Sequence, residues 1–421
     1  MHHDVLTGEI ESWLLDETLT SPDIVTLFEA LCKRLNAAGV PLDRAAVSWP
    51  TLHPLFTAEQ IFWRRETGAE LFQYRHGLQP SADYLNSPFH HAHQNGLTRL
   101  RRRLIGPEAL LDFPVLKELQ EKRFTDYFLT ATRMSIGRVE AFRGGGVGLM
   151  ASWATRRANG FSDADMVALS RIQKVFTVAC HASIQMRISE ALATAYMGPH
   201  AARHVLRGDT KLGDGERIPA VVWYSDLRCS TYLSTSIAPE AFLQYLSDYY
   251  ALTAEPVIEA GGDIIDFIGD AVLAIFPVQG ARGGPDAARA AGRAMSDALN
   301  RLDAYRDRPD AHVMQFSIAL AMGEIMFGNI GVPARLSFSA IGQVINTVSK
   351  IDQMSKSLGR AVLATEDVAQ LDPVRWRMLG TFPFDDLNRS IKLFAPKDER
   401  DRFNNEALRE NLRTQIRAKS A

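Results

Sequence analysis

Residues 261–276 read GGDIIDFIGDAVLAIF. Two apolar runs flank Gly269-Asp270, the pattern of a β-hairpin whose turn presents a carboxylate. A second carboxylate, Asp266, stands inside the first strand where an apolar side chain is expected. A third, Asp226, ends the apolar run AVVWYSD, just ahead of LRCST and a helical pattern. Backbone amides at a strand-to-helix turn make a cradle for phosphate, so Arg228, Cys229, Ser230 and Thr231 form the candidate phosphate-binding segment. A carboxylate at a strand end can hold a hard cation. With Asp270 on a neighbouring strand, Asp226 and Asp270 would converge beside that cradle, which is the arrangement two-metal phosphoryl chemistry requires. Each has a plainer use alone, since Asp before a helix is a common cap and Gly-Asp a common turn. Their occurrence together in one topology favours the metal site.

The elements that must position these groups follow from periodicity. AVVWYSD reads as a strand and residues 239–262 as a helix closing at Gly261-Gly262; the hairpin comes next, then an Ala-rich helix over 285–303. MQFSIALAMGEIMFGNI and LSFSAIG read as strands, QVINTVSKIDQMSKSLG as a helix and AVLATEDVAQ as strand into helix. Strand–helix–strand–strand–helix–strand is the ferredoxin-like order, an α+β fold. Ahead of it, GPHAARHVLRGDTKLGDGERIPA reads as a polar, Gly-rich break.

Further upstream, Ser162 caps a helix running to about Met197 without Gly or Pro, roughly 50 Å long at 1.5 Å per residue. Its apolar positions Met166, Leu169, Ile172, Phe176, Ala179, Ile184, Ile188 and Ala191 recur every three or four residues. That spacing suits a connector and dimer seam, and equally a helix packed on its own domain. Residues 8–38 carry helical spacing, with Ser21-Pro22-Asp23 as a start signal for a second helix. Residues 44–160 alternate short β-type runs with breaks such as RGGGVG, an α/β sensor-like domain loosely similar to GAF-type modules. The expected division is a regulatory domain over 1–160, a connecting helix and linker over 161–200, a second domain over 201–397, and a charged tail over 398–421, helical or loose.

A chain of 421 residues, 46% hydrophobic and 23% charged, has room for two or three globular domains. A net charge of −2, with no basic domain, argues against general nucleic-acid binding. Cys32, Cys180 and Cys229 are few, odd in number and far apart, which fits a reducing cytoplasm and no disulfide framework or zinc cluster. The start MHHDVLTGEIESWLLDE lacks signal-peptide order, and no apolar run approaches the ~18 residues of a membrane span, so a cytoplasmic protein is expected. His90, His91 and His93 have no Cys or acidic neighbours and read as a surface cluster. TRLRRRL (98–104) reads as a strand with solvated arginines on one face.

The segments WYSDLRCST, DFIGDAVLAIFP, ALAMGEIMFGNIG and RLSFSAIGQVINTVSKIDQM together resemble, in kind and order, the catalytic domain of the class III nucleotidyl cyclases. The resemblance covers roughly residues 215–395. It implies a homodimer that converts a nucleoside triphosphate to a 3′,5′-cyclic nucleotide and pyrophosphate at sites shared between subunits. It implies two Mg²⁺ or Mn²⁺ ions per site, held by Asp226, Asp270 and the Leu227 carbonyl, with Asn346 orienting the ribose. Lys350 stands where the family has an Arg that neutralises the transition state. A single mobile charge in place of a planar fork implies slower turnover. Gln343 stands where the family has an Asp that is not a metal ligand.

The base-specifying positions are Asp266, where adenylate cyclases carry Lys and guanylate cyclases Glu, and Ser339. An ionised Asp only accepts hydrogen bonds, so it opposes the acceptors adenine N1 and cytosine N3 and matches the N–H groups of guanine and uracil. Bacterial relatives that make cyclic pyrimidine nucleotides as antiphage signals also depart from the purine pattern. The expected order is therefore UTP ahead of GTP, with a conventional adenylate or guanylate cyclase, or an inactive nucleotide-binding signalling module, as alternatives. GGD at 261–263 is similar to the turn signature of diguanylate cyclases, but the apolar runs set the turn at Gly269-Asp270 and exclude that reading.

Overall fold

The computed structural model describes residues 2–19, 23–77, 81–135, 148–278, 280, 283–308, 312–384, 389–398 and 405–420. The chain divides into two units, Met1–Ala195 and Tyr196–Ala421. Ser21, Pro22 and most of the Gly-rich break RGGGVG lie outside the described residues.

The first unit runs α1 (His2–Thr18), α2 (Ile24–Ala37), β1 (Arg44–Pro50), β2 (Phe56–Arg64), β3 (Gly68–Arg75), α3 (Ala82–Leu85), α4 (Pro88–Gln94), β4 (Arg99–Arg103), α5 (Pro114–Glu121), β5 (Asp126–Thr132), β6 (Leu149–Thr155) and α6 (Asp163–Met197). Its strands form one antiparallel sheet in the order β3-β2-β1-β6-β5-β4. The Asp23 carboxylate caps α2 by accepting from the Thr26 amide at 2.9 Å. Ser162 Oγ likewise accepts from the Asp165 amide at 3.2 Å at the head of α6. Leu169, Ile172, Phe176, Ala179, Ile184 and Ile188 of α6 are buried with Phe28 of α2 and Trp153 of β6 in one core. Of the two roles the spacing allowed, the apolar face of α6 serves its own unit.

The arginines of β4 differ from expectation. Arg101 and Arg103 converge on the fully buried Asp126 at 2.7 and 3.4 Å, and Arg102, on the opposite face, pairs with Asp112 at 2.8 Å. A buried carboxylate demands such partners, so these side chains are engaged and not merely solvated.

The second unit runs α7 (Pro199–Arg207), β7 (Gly215–Leu227), α8 (Ser230–Ser236), α9 (Pro239–Glu259), β8 (Asp263–Ile268), β9 (Ala271–Pro277), α10 (Gly283–Arg306), β10 (Phe316–Val332), β11 (Arg335–Ile341), α11 (Gln343–Leu358), β12 (Val362–Thr365), α12 (Glu366–Leu371), β13 (Trp376–Phe384), β14 (Arg389–Pro396) and α13 (Asn405–Ser420). The sheet order is β13-β14-β12-β10-β7-β9-β8, with β11 folded back on β10. The segment β10-β7-β9-β8 is antiparallel throughout and is the ferredoxin-like core. Val221 and Trp223 face a core shared with α9 and α10, while Ala220 and Val222 face one shared with α7 and α11. Both faces of β7 are covered in its middle, which is why residues 220–224 are an unbroken apolar run.

Two stretches are more ordered than their composition suggests. The supposed break after Met197 contains α7, with Ala201 and Ala202 buried, followed by the first half of β7. Its breakers are the helix's own terminators, Pro199 in the first turn and Gly208 at φ +102° after the last. The charged tail forms α13 and buries Leu408 and Leu412 in the α9–α10 core. Among the described residues no helix is long and apolar enough to cross a membrane.

Candidate functional site

β7 lies between β9 and β10, and Asp226 faces Ala271 on one side and Ser317 on the other. Asp270 immediately precedes β9, and the Leu227 amide donates to the Asp270 carbonyl at 3.1 Å, so backbone pairing fixes the two strand ends together. Gly269 holds the turn at φ +64°, a left-handed conformation that favours glycine. Ser230 Oγ donates to the Asp270 carboxylate, and the Tyr250 hydroxyl donates to the Gly269 carbonyl. The Leu227 side chain is core, leaving only its backbone at the site.

Behind Asp226 lies a group of charges that the sequence reading did not assemble. The Arg228 guanidinium is buried and turned inward, 3.8 Å from Asp226 and 3.5 Å from Asp352, and it donates to Ser355 Oγ. Its amide donates to the Gln315 carbonyl at 2.9 Å. Of the proposed phosphate cradle, the Arg228 amide is thus committed elsewhere, and the segment at the head of α8 is Cys229, Ser230 and Thr231. Cys229 sits there in the left-handed region, at φ +61°. Asp352 accepts from Ser317 Oγ, and Lys356 Nζ lies 3.5 Å from Asp226.

Burial and then the Asp352 carboxylate push the Asp226 carboxyl up to about 6, with Asp270 adding to the rise and Lys356 and Arg228 opposing it. Asp352 is also raised, by burial first. Carboxylates that disfavour one another's charge offer the hard oxygen donors, and the excess negative potential, that a divalent ion relieves. The residues present fit such an ion. Asp352 carried a signal in the sequence: it follows Ile351 in the apolar stripe Val344, Val348, Ile351 that α11 buries, where a lone acid needs a partner.

The remaining candidates lie apart from that cluster. Asp266 is exposed on the edge strand β8, opposite Leu273 and next to a bulge. Ser339 is half-buried on β11, opposite Gly328, and β11 touches β8, the strand that carries Asp266. On α11, Asn346 and Gln343 are exposed, and the Lys350 ammonium stands 5.4 Å from the centre of the Phe384 ring. At 1.5 Å per residue Asn346 is about 15 Å along α11 from Lys356, the residue that reaches Asp226. Within one chain the structure gathers Asp226, Asp270, Arg228 and Ser230, and keeps Asn346 at the far end of the helix.

No family model matches the chain. An adenylate cyclase from Anabaena cylindrica is 29% identical over 153 residues, 35% of this chain and 30% of that protein. Adenylate cyclase 1 of Rhizobium meliloti is 32% identical over 162 residues, 38% of this chain and 24% of that protein. The chain thus spans less than a third of the length of these two relatives. The structure of a bacterial light-regulated adenylyl cyclase superposes with a TM-score of 0.50 at 14% identity, over 71% of this chain and 93% of that one. At that identity the likeness is one of fold. The resemblance to class III nucleotidyl cyclases holds in sequence and in architecture.

Proposed function

We propose that this chain is a nucleotidyl cyclase that closes a nucleoside triphosphate into a 3′,5′-cyclic nucleotide and releases pyrophosphate, with each active site built from two copies. The observation that carries the reading is the backbone-locked pair Asp226 and Asp270 beside the head of α8. Two divalent ions, Mg²⁺ or Mn²⁺, would supply Lewis acidity toward the ribose 3′-OH and the triphosphate there.

The chain's own residues do the rest. Asp226 and Asp270 would supply the anionic oxygens for such ions, and Lys356, 3.5 Å from Asp226 on a flexible, half-exposed stem, would leave room for one. Arg228 and Asp352 hold the end of β7 in position from behind. The turn at Cys229–Thr231 faces the phosphates. Asn346 of the second copy orients the ribose, and its Lys350 offsets charge on the α-phosphoryl group, leaving Phe384 to do so. The distance of Asn346 from Asp226 along one chain supports such a shared site. So does the exposed apolar surface of Phe267 and Ile268 on β8 and Met326, Ile330, Val332 and Ile341 on the β10–β11 arm.

Asp266 reads the base by accepting its N–H, and Ser339 donates to its carbonyl. UTP is then favoured over GTP and both over ATP, making cyclic UMP the product and antiphage signalling its setting. Purified chain incubated with each of the four triphosphates and Mn²⁺, with products identified by mass, tests the proposal. A cyclic nucleotide from UTP supports it. Absence of any cyclic product, with dimer present and Mn²⁺ bound, refutes it.

A further inference from the structure

A second cluster lies at the other end of β7. His200 and His204 stand one turn apart on the same face of α7, and β7 brings Glu216 against them. His200 Nε2 is 2.9 Å from Glu216 Oε1, and His204 Nε2 is 3.4 Å from the same oxygen. Among the described residues, His, Cys and acidic donors come within 4.8 Å of one another in a group of three at this one place.

The hydrogen-bond chemistry of the cluster is unfinished. His204 Nδ1 lies 2.8 Å from Asp209 Oδ2, a contact that puts the ring proton on Nδ1. The Nε2 lone pair of His204 then faces the Glu216 carboxylate, acceptor against acceptor. A cation between them removes the conflict, and so does a second proton on His204. The spacing suits the cation. An ion held tetrahedrally at about 2.0–2.1 Å has ligand-to-ligand edges of about 3.3 Å, between the two distances observed. A carboxylate on the outer nitrogen of a ligating imidazole is the usual device for fixing its tautomer and orientation, and Asp209 is so placed. Phe327 and Phe338 wall the site, with ring centres 4.9 Å from His200 and 5.4 Å from His204. The Glu216 side chain is 46% exposed, which leaves an open side for water as a further ligand.

We propose that His200, His204 and Glu216 bind one divalent ion of the borderline, imidazole-preferring type, Zn²⁺ being the representative. Two imidazoles and one carboxylate select against Mg²⁺ and distinguish this site from the all-oxygen pair Asp226 and Asp270. The two sites are about 33 Å apart along β7, ten residues at 3.3 Å each. The ion ties α7 to the sheet. Because the imidazoles lie against Phe327 and Phe338, it also steadies the β10–β11 arm next to Ser339.

The test is Co²⁺ titration of the EDTA-stripped, dialysed full chain, followed by ligand-field absorption, with Zn²⁺ competing for the bound ion. One equivalent per chain of tetrahedral, strongly absorbing Co²⁺ is expected in the wild type and in Asp226→Asn. The affinity should fall at least 100-fold in His204→Ala and Glu216→Gln, and 10- to 100-fold in Asp209→Asn. The triple change of His90, His91 and His93 to Ala should leave it unchanged. If His204→Ala does not fold, judged by circular dichroism, His200→Gln replaces it. Absence of stoichiometric binding in the wild type overturns the proposal. Equal binding by the His204 and Glu216 variants overturns it too, as does loss of binding in Asp226→Asn or in the triple variant, which would put the ion elsewhere.

Discussion

Asp226→Asn removes a charge that the metal-free fold holds at a penalty. Burial and Asp352 carry the carboxyl from its ordinary 3.8 to about 6. Two units at 1.36 kcal/mol each mean that ionised Asp226 destabilises the folded unit by about 3 kcal/mol. Its side chain is 17% exposed, so solvent screening removes little of that figure. Because the folded value lies above the unfolded one, the folded state binds more protons between about pH 4 and pH 6. Stability therefore falls as pH rises through that window and stays at the lower level above it. An Asn is neutral throughout and escapes the loss. In EDTA at pH 7.5, the slowest amides of β7 and β9 should exchange on the order of 100-fold more slowly in the variant than in the wild type. The ratio should approach one near pH 4. Mn²⁺ should slow exchange in the wild type by mass action and leave the variant unmoved. A variant that exchanges faster than wild type in EDTA, or a ratio that is the same at both pH values, refutes the reasoning.

Asp270→Ala and Lys350→Ala should each abolish cyclisation. An equal mixture of the two chains should recover about a quarter of wild-type activity, because half the dimers are mixed and each has one intact site; no recovery in demonstrably mixed dimers would rule out shared sites. Asp266→Lys should cut UTP turnover at least 10-fold, since a cation then faces uracil N3–H; an unaltered base preference in triphosphate competition would remove Asp266 from base reading. Leu412→Ala should lower the stability of the second unit by about 2–5 kcal/mol, read from urea unfolding; a change below about 1 kcal/mol would mean that α13 is not part of the core.

The hairpin around Gly269 was legible because its signals are local: alternating runs, a glycine that accepts positive φ, and an acid beside it. The long helix was legible in length and cap, but its partner was not, since 3–4 spacing shows that a face is apolar and not what covers it. α7 was misread because a Pro at its start and a Gly after its end look the same in sequence whether they bound a short helix or make a loop. Asp352 escaped because its meaning is non-local. Its partners, Arg228 and Ser317, come from two other strand ends. The same holds for His200, His204 and Glu216, which all fall in the stretch read as a break, the histidines on α7 and the acid on β7.

The central position of β7 has a consequence for how the protein is made. β7 is the first strand of its unit to be synthesised, yet one of its two neighbours is β10. Ser317 of β10 lies opposite Asp226 of β7 across a separation of 91 residues. On a ribosome adding roughly 5–20 residues per second, β7 waits about 5–18 s for that partner, with one apolar edge exposed. Closing so long a loop makes the middle of the sheet the slow step of folding: α7, α9 and α10 can cover the faces of β7 and β9 one of its edges early, while the edge that β10 takes waits. Nascent chains arrested just before residue 316 should therefore bind chaperones that capture unpaired strands, and chains arrested well beyond residue 365 should not; equal capture of both would show that β7 is protected by other means.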